Sequence, residues 1–345
     1  MTSPATSGAP AAPPVDPPVH VDPADDVADE PSAGPFRCTT ASAGRAEPMF
    51  ATASRVDRWL LVEQTGPWGP ESVPAGRMDP AAFAAVSRLA REFRARLLLI
   101  RRPSSSEAEQ SGVTVFLAES RAGREWLMSR WFDDVAELPS LRLPASDPEW
   151  RTETEPLYLV CTHGRHDPCC ALFGRPVASA MCGLVPERTW ESSHVGGDRF
   201  GANVVVLPQG LYLGRVIPAR ASEVVDAVAA RRIPVNLLRG RSSFSLPMQA
   251  AQHFARAELV GSADGASLDR PLLDGFDDLR PLGEEQLARD EWQIRLRGPD
   301  GTLAVVVRRT PGNTPHRLTC HAPQPQVFPG FELVSYDAAP SANVA

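Results

Sequence analysis

Leu157-Tyr-Leu-Val-Cys161-Thr-His-Gly-Arg-His-Asp-Pro-Cys-Cys170-Ala-Leu-Phe-Gly174 is the stretch that decides the fold. A short unbroken apolar run gives way to a Gly- and Pro-containing loop and then to a helix-forming segment. This reads as a buried strand over 157–162 and a helix from Cys170 to Gly183, with Pro176 kinking the helix or delaying its start. A strand that ends in reactive side chains just before a helix is the arrangement in which open α/β sheets gather their sites.

Working outward, 189–193 is a short strand. Residues 203–207 and 211–216 form a hairpin around Pro208-Gln209-Gly210, and 219–231 is a helix. The preceding stretch has a similar order. Arg58–Thr65 (RWLLVEQT) is a strand, Asp79-Pro80 opens a helix to Phe93, and 96–101 and 113–119 are strands. Residues 124–132 read as a short amphipathic helix and 104–111 as a loop. RWLLVEQTG occupies the place that LYLVCTHG occupies later. The expected fold class is therefore α/β, with two thioredoxin-like α/β units in tandem, 37–150 and 151–262. Beyond them 248–259 is helical, 292–297 and 303–308 form a hairpin across Gly298-Pro299-Asp300-Gly301, and 318–321 is a further strand. Residues 263–345 are thus expected to be a small α+β appendage.

Composition narrows the function. Hydrophobic residues at 43% and charged residues at 22% describe a soluble globular chain. Residues 1–36 are rich in Pro and Ala and carry six acids and no Arg, so the segment is expected to be disordered. Removing those six from the 42 acids leaves 36 against 35 bases, a nearly neutral body without the basic surface that nucleic acid requires. No apolar run approaches the roughly 20 residues of a membrane span. No secretory signal is expected at the N-terminus, which points to a cytoplasmic protein. All basic residues are Arg, a coding bias typical of a GC-rich bacterial genome.

Six unevenly spaced cysteines in a chain of 345 residues do not form a disulfide scaffold. Four of them, Cys161, Cys169, Cys170 and Cys182, fall within 22 residues, and His194-Val-Gly-Gly-Asp198 follows. Thiolates and imidazoles gathered in this way suit an iron–sulfur cluster, zinc or thiol redox chemistry. Cys161 ends a strand, and Cys170 opens a helix whose N-terminus favours thiolate. Gly196-Gly197 lets the chain fold back so that His194 and Asp198 face one centre. The competing reading of each cysteine is a small buried apolar residue, and for Cys38, Cys182 and Cys320 it is preferred. Arg239-Gly-Arg241 reads as a structural turn before it reads as an anion site. No Cys-x-x-Cys opens the helix, which ranks dithiol exchange last.

Cys161-Thr-His-Gly, Asp167, Cys170, Ser193-His194-Val-Gly-Gly, Asn203-Val-Val-Val, Gly214-Arg215-Val216, Arg239-Gly-Arg241-Ser and Gln249-Ala-Ala together resemble the sucrase/ferredoxin-like family. Thioredoxin-like [2Fe-2S] proteins, the fungal actin-patches-distal protein among them, belong to it. The resemblance runs over about residues 37–335. It implies a [2Fe-2S] cluster held by Cys161, Cys170 and His194, with Asp198 where fungal members carry a second His. The fourth bond then falls to Asp198 or to a substitute such as Cys169, Cys182 or His163, or the cluster is absent. The implied activity is one-electron transfer, with a reductase or acceptor protein as partner, rather than an enzyme with its own substrate. The alternatives are a clusterless thioredoxin-like scaffold, or a zinc or thiol-redox protein. Glycoside hydrolysis needs a pair of carboxylates flanking a sugar bond, and none stands out.

Overall fold

The structure, a computed structural model, describes residues 34–70, 78–103, 112–261, 274–312 and 314–340. The acidic tail (1–33) and the expected loop at 104–111 lie outside the described residues. Residues 37–345 form one compact unit. Among the described residues its mixed α/β body is built on a ten-stranded sheet beside a four-stranded antiparallel sheet.

A short helix α1 (Cys38–Gly44) comes first, followed by β1 (Arg58–Glu63), α2 (Pro80–Phe93), β2 (Arg96–Arg101), β3 (Val113–Glu119), β4 (Trp126–Phe132) and β5 (Arg151–Thr152). Then come β6 (Leu157–Cys161), α3 (Pro168–Leu184), β7 (Thr189–Ser192), β8 (Val204–Leu207), β9 (Leu211–Leu213), α4 (Ala221–Ala229), β10 (Leu238–Arg241) and α5 (Leu246–Gly261). The second sheet is β11 (Arg280–Ala288), β12 (Glu291–Arg297), β13 (Gly301–Thr310) and β14 (Gly330–Pro340).

The two stretches compared in the sequence meet where β2 pairs antiparallel with β7. Read outward from that seam, the order is β2-β1-β3-β4 on one side and β7-β6-β8-β9 on the other. β1 runs parallel to β2 and antiparallel to β3. β6 runs parallel to β7 and antiparallel to β8.

The unbroken apolar runs in β1 and β6 follow from burial on both faces. Leu60 and Val62 face α2, while Trp59 and Leu61 face a core shared across the seam with Leu159, Trp190, Val205 and Tyr212. The sheet curls until Trp59 of β1 and Tyr212 of β9, with four strands between them, lie with ring centroids 6.2 Å apart. Each such fully buried large apolar side chain contributes about 1.5–3 kcal/mol.

Two local expectations fail. Residues 126–132 form a strand rather than a helix, pairing with β3 from Val113↔Phe132 to Glu119↔Trp126. Gly123, at φ 77°, supplies the turn, and the free edge of β3 is completed by a segment holding Trp126, Trp131 and Phe132, all good strand formers. Residues 318–321 are not a strand. They belong to the irregular connection between β13 and β14, in which His316 bridges Gln326.

Two further local expectations hold. The hairpin β12–β13 forms across residues 298–300, and α5 packs its Ala250, Ala251 and Ala255 against Ile294 and Val305 of the second sheet. Helix α3 starts two residues early, at Pro168, and runs through Pro176. The carbonyl that Pro176 cannot engage belongs to Leu172, an exposed residue.

Candidate metal centre

Cys161 is the last residue of β6, and its side chain is buried. Asp167 caps α3 by accepting the Cys169 N–H at 2.8 Å, which fixes where the helix begins. Gly174, one turn further along, lies directly on the Cys161 carbonyl: a Cβ there would fall far inside van der Waals contact of that oxygen. This close approach brings Cys170 to Cys161. With His194 they form a group whose ligand atoms all lie within 4.8 Å of one another.

His194 follows β7. Gly196 and Gly197, at φ 103° and 81°, reverse the chain, and Asp198 returns its carboxylate to 3.0 Å from His194 Nδ1. Cys170 Sγ donates to Asp198 Oδ1 at 3.1 Å. His194 Nδ1 is buried, and the Asp198 carboxylate is its ion-pair partner. The His166 ring stacks on His194 with centroids 3.8 Å apart, and its Nε2 lies 3.8 Å from Asp198 Oδ2.

Every carbonyl of the His194–Asp198 loop is tied down. His194 O accepts from Arg96 Nη2 at 2.9 Å, and Val195 O from Tyr212 Oη at 3.2 Å and Ser54 Oγ at 3.3 Å. Gly196 O accepts from Arg239 Nη1 at 2.9 Å, Gly197 O from Asn203 Nδ2 at 2.9 Å, and Asp198 O from Thr39 Oγ1 at 2.8 Å. Arg239 is wholly buried and also donates to Asn203 Oδ1 at 2.7 Å and Thr52 O at 2.6 Å. Burial pushes its guanidinium down to about 10. The Arg239-Gly-Arg241 motif is thus structural: it positions the loop.

His163 accepts the His194 N–H at Nδ1 (3.2 Å) and meets Gly69 O at Nε2 (2.6 Å), so both ring nitrogens are committed to backbone. It orients His194 and is not free to ligate. Burial holds it below the usual histidine range.

The electrostatics follow from proximity. Burial works against the His194 imidazolium, but the Asp198 carboxylate and the Cys161 thiolate outweigh it and raise the group to about 9. Burial likewise works against the Asp198 carboxylate, and His194, Cys170 and His166 hold it below the ordinary range. Cys161 is pushed down by the Cys170 hydrogen bond and by His194, and Cys170 is pushed up in turn.

The structure therefore brings together Cys161, Cys170, His194 and Asp198, and adds His166 at the edge. Cys169 is not in that group. It lies with Cys38, Asp167 and Cys320, and its Sγ is 3.3 Å from Cys320 Sγ. Cys182 belongs to neither group. The preference for inert small residues at Cys38 and Cys320 carries no hint of this grouping, since no sequence pattern links positions 282 residues apart. The loop-holding roles of Arg96 and Thr39 carried no signal either, whereas Asn203 and Arg239 stood in motifs of the resemblance.

Two thiols, an imidazole and a carboxylate, buried where a strand ends and a helix begins, are a donor set suited to a metal ion or cluster. The model of the sucrase/ferredoxin-like family matches residues 49–240, more than half of the chain, and the protein belongs to that family. A curated relative, altered inheritance of mitochondria protein 32 of Eremothecium gossypii, is 29% identical over 103 residues, 26% of this chain. The match spans 33% of that relative's own length. Among solved structures, two cysteine-to-serine variants of the thioredoxin-like [2Fe-2S] ferredoxin from Aquifex aeolicus match at 21% identity. The match covers 24% of this chain and 97% of theirs, with a TM-score of 0.22. No helix among the described residues is long and apolar enough to cross a membrane.

Proposed function

We propose that this protein carries single electrons on a [2Fe-2S] cluster held by Cys161, Cys170, His194 and Asp198. The observation that carries the reading is the convergence of Cys161, Cys170 and His194, whose ligand atoms lie within 4.8 Å of one another, with the Asp198 carboxylate 3.0 Å from His194 Nδ1 and 3.1 Å from Cys170 Sγ. A loop whose carbonyls are all bonded holds His194 in place. When bound, the cluster supplies a one-electron couple. The chain's own contribution is to hold the imidazole in a fixed orientation, exclude water from the thiols and set the local charge. Replacing thiolates by neutral imidazole raises a cluster's potential, and a carboxylate at Asp198 restores negative charge and lowers it again.

We further read the two sides of the β2–β7 seam as two thioredoxin-like units, 37–150 and 151–262, of which only the second carries the cysteine site. The matching strand orders support this. The partner would be a reductase or an acceptor protein, in a compartment reducing enough to keep the thiols free, such as the cytoplasm. A second reading, zinc at the same four residues, is favoured by how closely the Cys161, Cys170 and His194 donor atoms converge.

The test is anaerobic purification from an iron-replete host, with the visible spectrum and with iron and sulfide analysis. A brown protein with about two irons and two sulfides per chain supports the cluster, and Cys161→Ser and His194→Ala should each bleach it. A colourless, iron-free chain that resists reconstitution sinks the electron-carrier reading.

A further inference from the structure

We propose that Cys38, Cys169 and Cys320, with Asp167, form a second metal site that binds a single zinc ion. It shares no residue with the proposed cluster and does not rest on that reading.

The four residues come from three distant segments. Cys38 opens α1, Asp167 and Cys169 cap and open α3, and Cys320 sits in the irregular connection between β13 and β14. Cys38, Asp167 and Cys169 are buried and Cys320 is half-buried. Their ligand atoms all lie within 4.8 Å of one another. Cys169 Sγ is 3.3 Å and Cys38 Sγ is 3.6 Å from Cys320 Sγ. Both oxygens of Asp167 are 3.8 Å from Cys38 Sγ.

These spacings select the nuclearity. Tetrahedral zinc with bonds of about 2.3 Å to sulfur places its sulfurs about 3.8 Å apart. The observed separations are close to that edge length and need only a small outward movement to receive the ion. They are much longer than the ~2.05 Å of a disulfide. Three soft thiolates with one carboxylate match zinc rather than magnesium or calcium, which take all-oxygen sites.

The surrounding hydrogen bonds already suit anionic ligands. The Cys38 N–H donates to Cys320 Sγ at 3.5 Å, and the Cys320 and Cys169 N–H groups donate to Asp167 at 2.6 and 2.8 Å. Those bonds orient the carboxylate and leave further lone pairs free for a metal. The positive end of the long helix α3 faces the same place. The ion would pin the connection between β13 and β14, whose described residues form no regular strand or helix, to the start of α3.

The experiment uses the full chain, stripped of metal under reducing conditions and titrated with Zn2+ alone against a chromophoric chelator. Cysteine alkylation is mapped by mass spectrometry with and without zinc. Zinc should protect Cys38, Cys169 and Cys320 together while Cys182 stays reactive, whether or not a second ion also occupies Cys161 and Cys170. Cys320→Ser, on an irregular loop, should weaken this zinc by more than about tenfold, the loss that even an outer-shell partner causes. Cys161→Ser should leave it in place. The protection map of the unaltered chain decides the question even if a variant fails to fold. Zinc that protects only Cys161 and Cys170, or that is lost in Cys161→Ser and kept in Cys320→Ser, overturns the proposal. So does a chain that binds no zinc and instead yields a Cys169–Cys320 disulfide.

Discussion

Replacing Gly174 by Ala tests whether the contact between α3 and β6 sets the geometry of the Cys161–Cys170 pair. In an ordinary helix interior the change is stabilising, since Gly costs about 1 kcal/mol relative to Ala. Here the new methyl would meet the Cys161 carbonyl oxygen and carbon, both backbone atoms that cannot swing aside, with Thr162 Cγ2 3.4 Å away. Relieving the overlap needs roughly an ångström of retreat between helix and strand, and overpacking of this kind costs about 1–3 kcal/mol, occasionally more. With no flexible side chain to absorb it, the upper end applies, leaving a net loss of about 2 kcal/mol after the propensity gain. Gly183 is the matched control: it lies in the same helix with nothing within 4 Å of a built Cβ. Gly183→Ala should therefore stabilise by about 0.5–1 kcal/mol, because only propensity acts there. The assay is urea unfolding of both variants, with metal content per chain measured alongside. Gly174→Ala should lose stability and metal together, because the carbonyl it displaces belongs to one ligand and the helix it displaces carries the other. If both variants gain stability alike and load alike, the close approach does not position the site.

Other perturbations probe separate parts. Arg239→Met leaves Gly196 O, Thr52 O and Asn203 Oδ1 short of a donor, at about 1–3 kcal/mol for each acceptor that stays buried. It should destabilise by several kcal/mol and loosen the His194 loop, seen as faster amide exchange at residues 194–198; unchanged exchange there would remove Arg239 from the loop's support. Asp198→His replaces a carboxylate by a neutral ring and should raise the reduction potential, whereas an unchanged potential by voltammetry would show that Asp198 does not ligate. Glu119 is buried, which raises its pKa, but hydrogen bonds from Arg121 and Arg58 hold the carboxyl below its usual range. Its contribution is therefore full above the unfolded value of about 4.3 and is lost as the pH falls through the depressed folded value. Glu119→Gln should flatten the fall in stability between about pH 5 and 3, and an identical acid profile would refute the assignment.

Several features were legible because they are local. LYLVC and RWLLVE are buried on both faces and carry no alternation to confuse the reading. Asp79-Pro80 caps α2 through bonds to Ala81 and Ala82. Gly196-Gly197 turns the chain as a positive φ requires, and His194 meets Asp198 in consequence. The misreadings were non-local. Trp126–Phe132 has enough scattered apolar residues to pass for a helix, and only the open edge of β3 makes it a strand. Arg96 and Thr39 hold the His194–Asp198 loop from segments 98 and 159 residues away from their partners, a relation that no spacing rule encodes.

The pair Cys169-Cys170 shows why adjacency in sequence misleads. Consecutive residues on a helix project about 100° apart, so two neighbouring thiols cannot both turn to one small centre without distorting the first turn. The structure assigns them to different groups, Cys170 to Cys161 and His194, and Cys169 to Cys38 and Cys320. Both still share the helix N-terminus, whose field favours thiolate on either side. Asp167 joins the two groups mechanically, since it fixes the helix start through the Cys169 N–H and holds the Cys320 backbone with its other oxygen. A substitution at Asp167 removes the cap of the first turn on which Cys170 depends, whereas Cys169→Ser keeps the backbone N–H that the cap uses. Cys320 lies off the helix and can be changed without moving it, so a loss of iron in Asp167→Ala that is absent from Cys320→Ser would report the shared helix turn rather than a shared ligand.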